Sequence, residues 1–395
     1  MAAVLPLHGV IRPYAWGSRT ALAGLQGRSA PSDAPEAELW LGAHPGDPST
    51  VTGPDGPVSL ATLIGDDPKG QLGAEVAEEF GDRLPYLMKV LAAEAPLSLQ
   101  AHPDADYAKQ AYAAQEADPT APRNYTDAYH KPEMLVALTP FDALCGFRAP
   151  DVSAAVLEGL RIHRLAPVIA ALRAGPPGLR EAVRALLTWP AEDRGALIED
   201  VVAAAPAVEE YARSYILATD LAGRHPGDPG VLVALLLNQV RLAPGEAIWM
   251  PAGNLHAYLS GTGIEIMAAS DNVLRGGLTP KRVDVDELLR VLRFEVLDDP
   301  IVPATQVAPG VLTWRVPVRE FALYRMDLTP AEPPMRLPGE GPRIVLGISG
   351  DVFVAEAVDG TPVEVTPGTA AYVPAETGPA TVAGVGEVFV AAVAS

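Results

Sequence analysis

The hydrophobic positions of this chain fall into three textures. Up to about Arg148, short apolar runs alternate with Pro/Gly turns, and ELWLGAHPGDPS, LPYLMKVLA, LSLQAHP and KPEMLVALTP each read as strand segments. One helix is predicted to interrupt them near DADYAKQAYAAQEA, ahead of the turn-like DPTAPRN. After Pro150 the spacing becomes helical in DVSAAVLEGLRIHR, LREAVRALLTW, AEDRGALIEDVVAAA and AVEEYARSYILATDLAGRH, with Asp151 placed as an N-cap. This block ends near His225-Pro226-Gly227. Strand texture returns in VLVALLLNQVRLAPGEAIWMPAGNLHAYL, VDVDELLRVLRF predicts a short closing helix, and the remainder is again β-like.

The pattern predicts a mainly β protein with an inserted α-helical block. Residues 1–149 and 229–300 form the two parts of a catalytic unit, 150–228 the helical insertion, and 301–395 a second β unit without a metal site. An internal echo shapes that reading. PGEAIWMPA, from Pro244 to Ala252, and PGTAAYVPA, from Pro367 to Ala375, share a Pro-Gly turn, an apolar strand and a Pro-Ala ending. Such units recur in small double-sheeted barrels of the cupin (jelly-roll, double-stranded β-helix) type. The first copy runs on to Asn254 and His256; the second has no histidine. Two barrels are therefore expected, the second degenerate.

Alternation along strands brings chemistry into view. If LSLQAH is extended, Ser98, Gln100 and His102 face one way while Leu97, Leu99 and Ala101 face the other. Lys131, Glu133 and Leu135 likewise share a face, and Pro132 leaves a gap in the ladder. Of the seven histidines, His102 and His256 each end a predicted strand beside polar neighbours. His163 and His225 are expected at the surface, and His8 and His44 in turn or packing roles. Gln100, His102, Glu133 and His256 supply two nitrogens and two oxygens. That set suits a borderline divalent ion such as zinc, one per chain, with iron or manganese physically open.

Glu265 stands between Ile264 and Ile266, where an inward acid needs a partner. SDNVLRGGLTPK then presents Asp271, Arg275 and Lys281 on a Gly-flanked loop. Two cations so placed can fold around one phosphate. The loop matches no Walker or dinucleotide glycine pattern, so no nucleotide is implied.

Composition narrows the classes. A formal charge of −20 over 395 residues argues against nucleic-acid or anionic-membrane partners and leaves anion binding to local cations. The single cysteine, Cys145, excludes an internal disulfide and is expected to be a small buried apolar residue. With no signal-like or membrane-length apolar run, a soluble cytoplasmic protein is the default, a monomer the simplest state.

Taken in order, PYAWGS (Pro13–Ser18), ELWLGAHPGDPS (Glu38–Ser49), LPYLMKVLAAEAPLSLQAHPD (Leu84–Asp104), YTDAYHKPE (Tyr125–Glu133) and the block His256–Lys281 resemble the type I phosphomannose isomerases, zinc-dependent cupin enzymes. The resemblance spans nearly the whole chain. It implies Gln100, His102, Glu133 and His256 as zinc ligands, Arg275 as catalytic, and Trp16, Glu38, Ser98, Lys131, Tyr258, Glu265 and Lys281 as pocket residues. It also implies exchange between mannose 6-phosphate and fructose 6-phosphate through a cis-enediol(ate). Arg275 would then stabilise charge, and Lys281 or Lys131 hold phosphate. For the base, the place of Glu265 between isoleucines favours it, with Asp271, a metal-bound hydroxide and His102 as rivals. A non-catalytic metal-binding sugar sensor, a metal-dependent oxygenase and an isomerase of a related phosphosugar are the competing readings. Tyr129 stands where the family usually has Asn, Ala15 where Asp is common, and Gly276 where Ala is usual. The first is expected to change packing and no ligand; Ala15 puts an acid role there in doubt.

Overall fold

The computed structural model describes residues 3–53, 56–118, 120, 122–205, 209–330, 333–357 and 360–394. It is built mainly of antiparallel strands, in two sheets of eleven strands each, with helices packed outside them. The first sheet runs in the order Ile301–Val302, Ala247–Met250, Glu133–Ala137, His256–Ala268, Tyr86–Ala93, Glu38–Gly42, Val10–Arg12. Its strand Tyr86–Ala93 is buried at every position, as expected where both faces are covered.

The long strand His256–Ala268 organises this half. Its second part, from Gly261, pairs with Tyr86–Ala93 and, from Gly263, with Glu133–Ala137. Its first part pairs instead with Leu99–Ala101 and Phe141–Phe147. The strand thus passes from one layer to another, with a register shift between Tyr258 and Ser260. Gly261 makes the corner possible: it takes φ +120°, and a Cβ there would lie 2.7 Å from the Phe141 ring and 2.8 Å from Pro140 O.

The predicted units are threaded through one another. Leu5–His8 pairs with Ala370–Val373 and with Thr50–Gly53, which pairs with Gly56–Ser59, so N-terminal strands complete the second sheet. Conversely, Ile301–Val302 pairs with Ala247–Met250 of the first. The boundary expected at residue 300 is crossed both ways, because one apolar core joins Leu39, Met88, Val90 and Ile264 to Ile344, Tyr372 and Phe389. Nor does either sheet close into the expected barrel: each ladder ends in edge strands, Val10–Arg12 and Ile301–Val302 in the first. The echoed segments do form strands, Ala247–Met250 and Ala370–Val373, after glycines at positive φ, Gly245 and Gly368.

Helices occupy Pro150–Gly159, Ala166–Arg173, Pro176–Leu187, Ala191–Ala204 and Ala212–Arg224. Their apolar faces share a cluster with Leu99, Ala101, Leu144, Leu274 and Leu278, so the helices back the sheet that carries the chemistry. Asp151 is not the cap; Ala149 holds that place, Pro150 opens the helix, and Asp151 adds its charge in the first turn. Asp104 and Asp284 do cap, each accepting a backbone N–H, from Tyr107 and Glu287. Two stretches depart from expectation. Leu60–Asp66, Pro68–Leu72 and Ala74–Phe80 are helices within the predicted β half, and Gly230–Ala234 is a helix where VLVALLL suggested strand. A buried apolar run carries no periodicity to separate the two. No helix among the described residues is long and apolar enough to cross a membrane.

Candidate active site and metal centre

Where His256–Ala268 changes layers, side chains from both layers line a cavity of about 760 Å³. Glu133 is part of its lining, and His102 and His256 stand beside Glu133; each of the three is about 1% exposed, with one donor atom apiece all within 4.8 Å of one another. Backbone geometry differs here from expectation. Only Leu99–Ala101 is strand, with Ser98 before it and His102 after; His256 opens its strand; and Glu133 is the first residue of its own. The alternation still holds across Leu99–Ala101, whose outer residues are buried in the helical core while Gln100 lines the cavity.

Both imidazoles are fixed from behind. His102 Nδ1–H donates to Asn272 O at 2.7 Å, and His256 Nδ1–H to Asn254 O at 3.0 Å. Each ring therefore turns its Nε2 toward Glu133 Oε2, at 3.3 Å from His102 and 3.1 Å from His256. His102 Nε2 is buried with no hydrogen-bond partner, 3.3 Å from Glu133 Oε2. Burial lowers His102's affinity for a proton, outweighing the pull of Glu133. Burial alone would raise Glu133, yet Lys131, His102 and His256 together hold its carboxyl well below the usual range. Gln100 stands 3.3 Å from His256 Nε2, and turning its amide brings Oε1 to the same place. An orphaned imidazole nitrogen facing a second one and a carboxylate is a donor set that fits a divalent cation.

A second group gathers on one face of the sheet. Trp40, Lys89 and Glu265 are register partners across three strands. Lys89 Nζ lies 2.8 Å from Glu265 Oε2 and 3.5 Å from Glu38 Oε1; Tyr258 OH donates to Glu265 Oε1 at 2.8 Å, and Trp40 Nε1–H to Glu38 Oε2 at 2.7 Å. Burial alone would lower Lys89, but Glu265, Glu38 and Glu133 hold it well above the ordinary lysine range. Burial, then Glu265, raises Tyr258. Glu265 is thus no solitary acid among isoleucines. Lys89, missed in the sequence, carried the same signal as Glu265: one charge in an apolar strand.

The remaining predicted residues separate by partner. Trp16, Glu38, Ser98, Tyr258, Lys131, Asp271, Arg275 and Lys281 all line the cavity. Lys131 is engaged, its ammonium 2.8 Å from Glu133 Oε1, which leaves it unsuited to phosphate. Arg275 is half-buried and Lys281 exposed, and neither side chain has an ion-pair partner among the described residues. Asp271 sits at the rim, 3.4 Å from buried His44. His225, expected at the surface, is half-buried and lines the cavity, because the turn after Ala212–Arg224 folds against it. Cys145 is buried, and burial pushes its thiol up to about 12.

Comparison with known proteins agrees with this geometry. A family model described as phosphomannose isomerase type I, catalytic domain, matches residues 4–150. The mannose-6-phosphate isomerase of Escherichia coli (strain K12) is 36% identical over 385 residues, 95% of this chain and 96% of the relative. The Homo sapiens mannose-6-phosphate isomerase is 31% identical over 402 residues, 94% of this chain and 93% of the relative. A crystal structure of a phosphomannose isomerase mutant from Salmonella typhimurium superposes with TM-score 0.92 at 33% identity, covering 100% of both chains. A zinc-bound mannose 6-phosphate isomerase superposes with TM-score 0.91 at 32% identity, again over 100% of both. With identity of this order along nearly its full length, the chain belongs to the type I phosphomannose isomerase family.

Proposed function

We propose that this protein interconverts mannose 6-phosphate and fructose 6-phosphate, with one zinc ion held by Gln100, His102, Glu133 and His256. The observation that carries the reading is the pairing of a buried two-histidine, one-carboxylate cluster with Arg275 and Lys281, unpaired among the described residues, on the lining of one cavity. When bound, zinc supplies Lewis acidity toward the oxygens on the sugar's C1 and C2. The chain's own residues do the rest. Glu265 carries the proton between C2 and C1, with Lys89 and Tyr258 fixing one donor on each of its oxygens so that a remaining lone pair meets the carbon. The Arg275 guanidinium offsets negative charge developing on the cis-enediolate oxygens. Lys281 takes the phosphate, while Lys131 orients Glu133. Trp16, Glu38 and Ser98 contact the sugar, and Asp271 holds the rim.

The fold supports a cupin-type assignment, since one strand is shared between two layers and the Pro-Gly-strand unit occurs in both sheets. On this reading 150–228 is an insertion in the catalytic unit, and Leu5–His8 with Thr50–Gly53 and Gly56–Ser59 belong to the second unit. The enzyme acts in the cytoplasm as a monomer. A non-catalytic sugar sensor has no use for Arg275 and Lys281 lining the cavity. The test is metal analysis of the purified protein with an isomerase assay before and after chelation. Zinc near one per chain, and turnover lost on chelation and restored by zinc, are the expected results. Full activity in metal-free protein would end the proposal.

A further inference from the structure

We propose that Asn272 is a positioning residue that fixes the metal ligand His102 and couples it to the segment leading into Glu133. Its backbone carbonyl accepts the His102 Nδ1–H at 2.7 Å. Its side chain, 0% exposed, is wholly engaged with residues 126–129. Oδ1 accepts the N–H of Thr126 at 2.8 Å and of Asp127 at 3.3 Å. Nδ2 donates to Asp127 O at 2.8 Å, to Tyr129 O at 2.8 Å and to Asp127 Oδ1 at 3.1 Å. Asp127 reciprocates: its Oδ2 accepts the Asp271 N–H at 3.0 Å, and its Oδ1 accepts Ser270 Oγ–H at 2.8 Å. Lys131 and Glu133 follow directly.

The chemistry requires asparagine. Two carbonyls need a donor and two N–H groups need an acceptor at the same short reach, and only an amide of this length offers both. Aspartate would set an oxygen against the carbonyls of Asp127 and Tyr129. With these bonds made, the Asn272 carbonyl cannot swing, so the His102 ring keeps the tautomer and angle that present Nε2. Without them, the ligand and the Asp271–Arg275 loop lose their common anchor.

The inference rests on the metal-dependent isomerase reading, and its test separates the two. Zinc affinity is measured by chelator competition, and ligand geometry by the visible spectrum of the cobalt-substituted protein, both independent of turnover. Asn272→Ala should weaken zinc binding about 10- to 100-fold, alter the cobalt spectrum, and lower kcat more than it raises KM. Thr313→Ala, which removes a buried hydrogen bond to Leu323 O in the other sheet, should lower the melting temperature and leave zinc affinity and spectrum unchanged. Should Asn272→Ala not fold, Asp127→Ala, at a half-exposed position, should weaken zinc severalfold. Wild-type zinc affinity and spectrum in whichever variant folds would overturn the proposal. Wild-type protein that binds zinc but turns over no phosphosugar would overturn the isomerase reading instead.

Discussion

Lys89 and Glu265 are buried cross-strand register partners whose ammonium and carboxylate meet at 2.8 Å. Register makes this pair. A slip of one residue between Tyr86–Ala93 and His256–Ala268 would send one charge to the opposite face and strand both. With Glu38 also on the ammonium, two buried carboxylates depend on one lysine.

Lys89→Met is therefore expected to destabilise the fold by roughly 3–5 kcal/mol, the range for breaking a buried pair, and to abolish turnover. Lys89→Met with Glu265→Gln should regain part of that stability without regaining activity. Urea denaturation and a coupled isomerase assay check both. A single variant as stable as the double one would refute the pairing argument. Glu265→Gln alone, zinc retained, should be nearly inactive; near-normal turnover removes Glu265 as the proton carrier.

Arg275 is a half-buried cation at the cavity with no carboxylate partner among the described residues, and burial depresses its basicity. Arg275→Ala should lower kcat by about two orders of magnitude, comparable to losing one oxyanion donor, with zinc content unchanged. Lys281→Ala should act mainly on KM, because an exposed ammonium binds phosphate in ground and transition states alike. Steady-state kinetics with metal analysis separates them. Equal effects on kcat and KM in both variants would show that the two cations do not divide these roles.

Much of the site was legible because strands and metal ligands leave strong marks. Histidines flanking apolar strands, and a glutamate where a core residue belongs, stand out in text this poor in polar residues. Lys89 carries that mark too, but its partners Glu265 and Glu38 come from other strands, and no local pattern shows them. Asn272 left no mark, since its role lies in what it hydrogen-bonds across the fold. The threading of Leu5–His8 into the C-terminal sheet was likewise hidden: pairing partners from opposite ends of the chain, Leu5 with Tyr372 or Leu7 with Ala370, share no local pattern. The helices between Leu60 and Phe80 are too short for periodicity to show.

Tyr129, where relatives by resemblance carry asparagine, has a local explanation. Its ring lies under the Arg83 guanidinium, 3.5 Å from centroid to Cζ, and Arg83 reaches on to Ala269 O. Tyr129→Asn should cost about 0.5–1 kcal/mol, the scale of an exposed cation–π contact, and leave kcat and zinc affinity unchanged. Thermal denaturation and kinetics check this. A large fall in zinc affinity would place Tyr129 among the groups supporting the metal, contrary to its position on the outer side of the loop.

His44 gives a pH dependence that can be assigned to one side chain. It is 3% exposed, edge-on to Trp40, its Nδ1 accepting the Gly46 N–H and its Nε2 3.4 Å from Asp271. Burial lowers its proton affinity below the ordinary value of 6.5; Asp271 and Asp127 pull the other way, Lys89 and Lys131 add to the fall, and burial prevails. The unfolded chain therefore takes up a proton near 6.5 that the folded protein still refuses. The stability this represents is present above the ordinary value and is lost as pH falls through it toward the folded value, at up to about 1.4 kcal/mol per pH unit for one proton. His44→Gln keeps a hydrogen-bonding group without the titration. Its stability should decline less steeply than that of wild type between about pH 7 and pH 5, measured by urea denaturation of metal-free protein so that zinc release does not enter. Parallel slopes would mean that His44 takes up its proton equally in the folded and unfolded states, the pull of Asp271 cancelling burial.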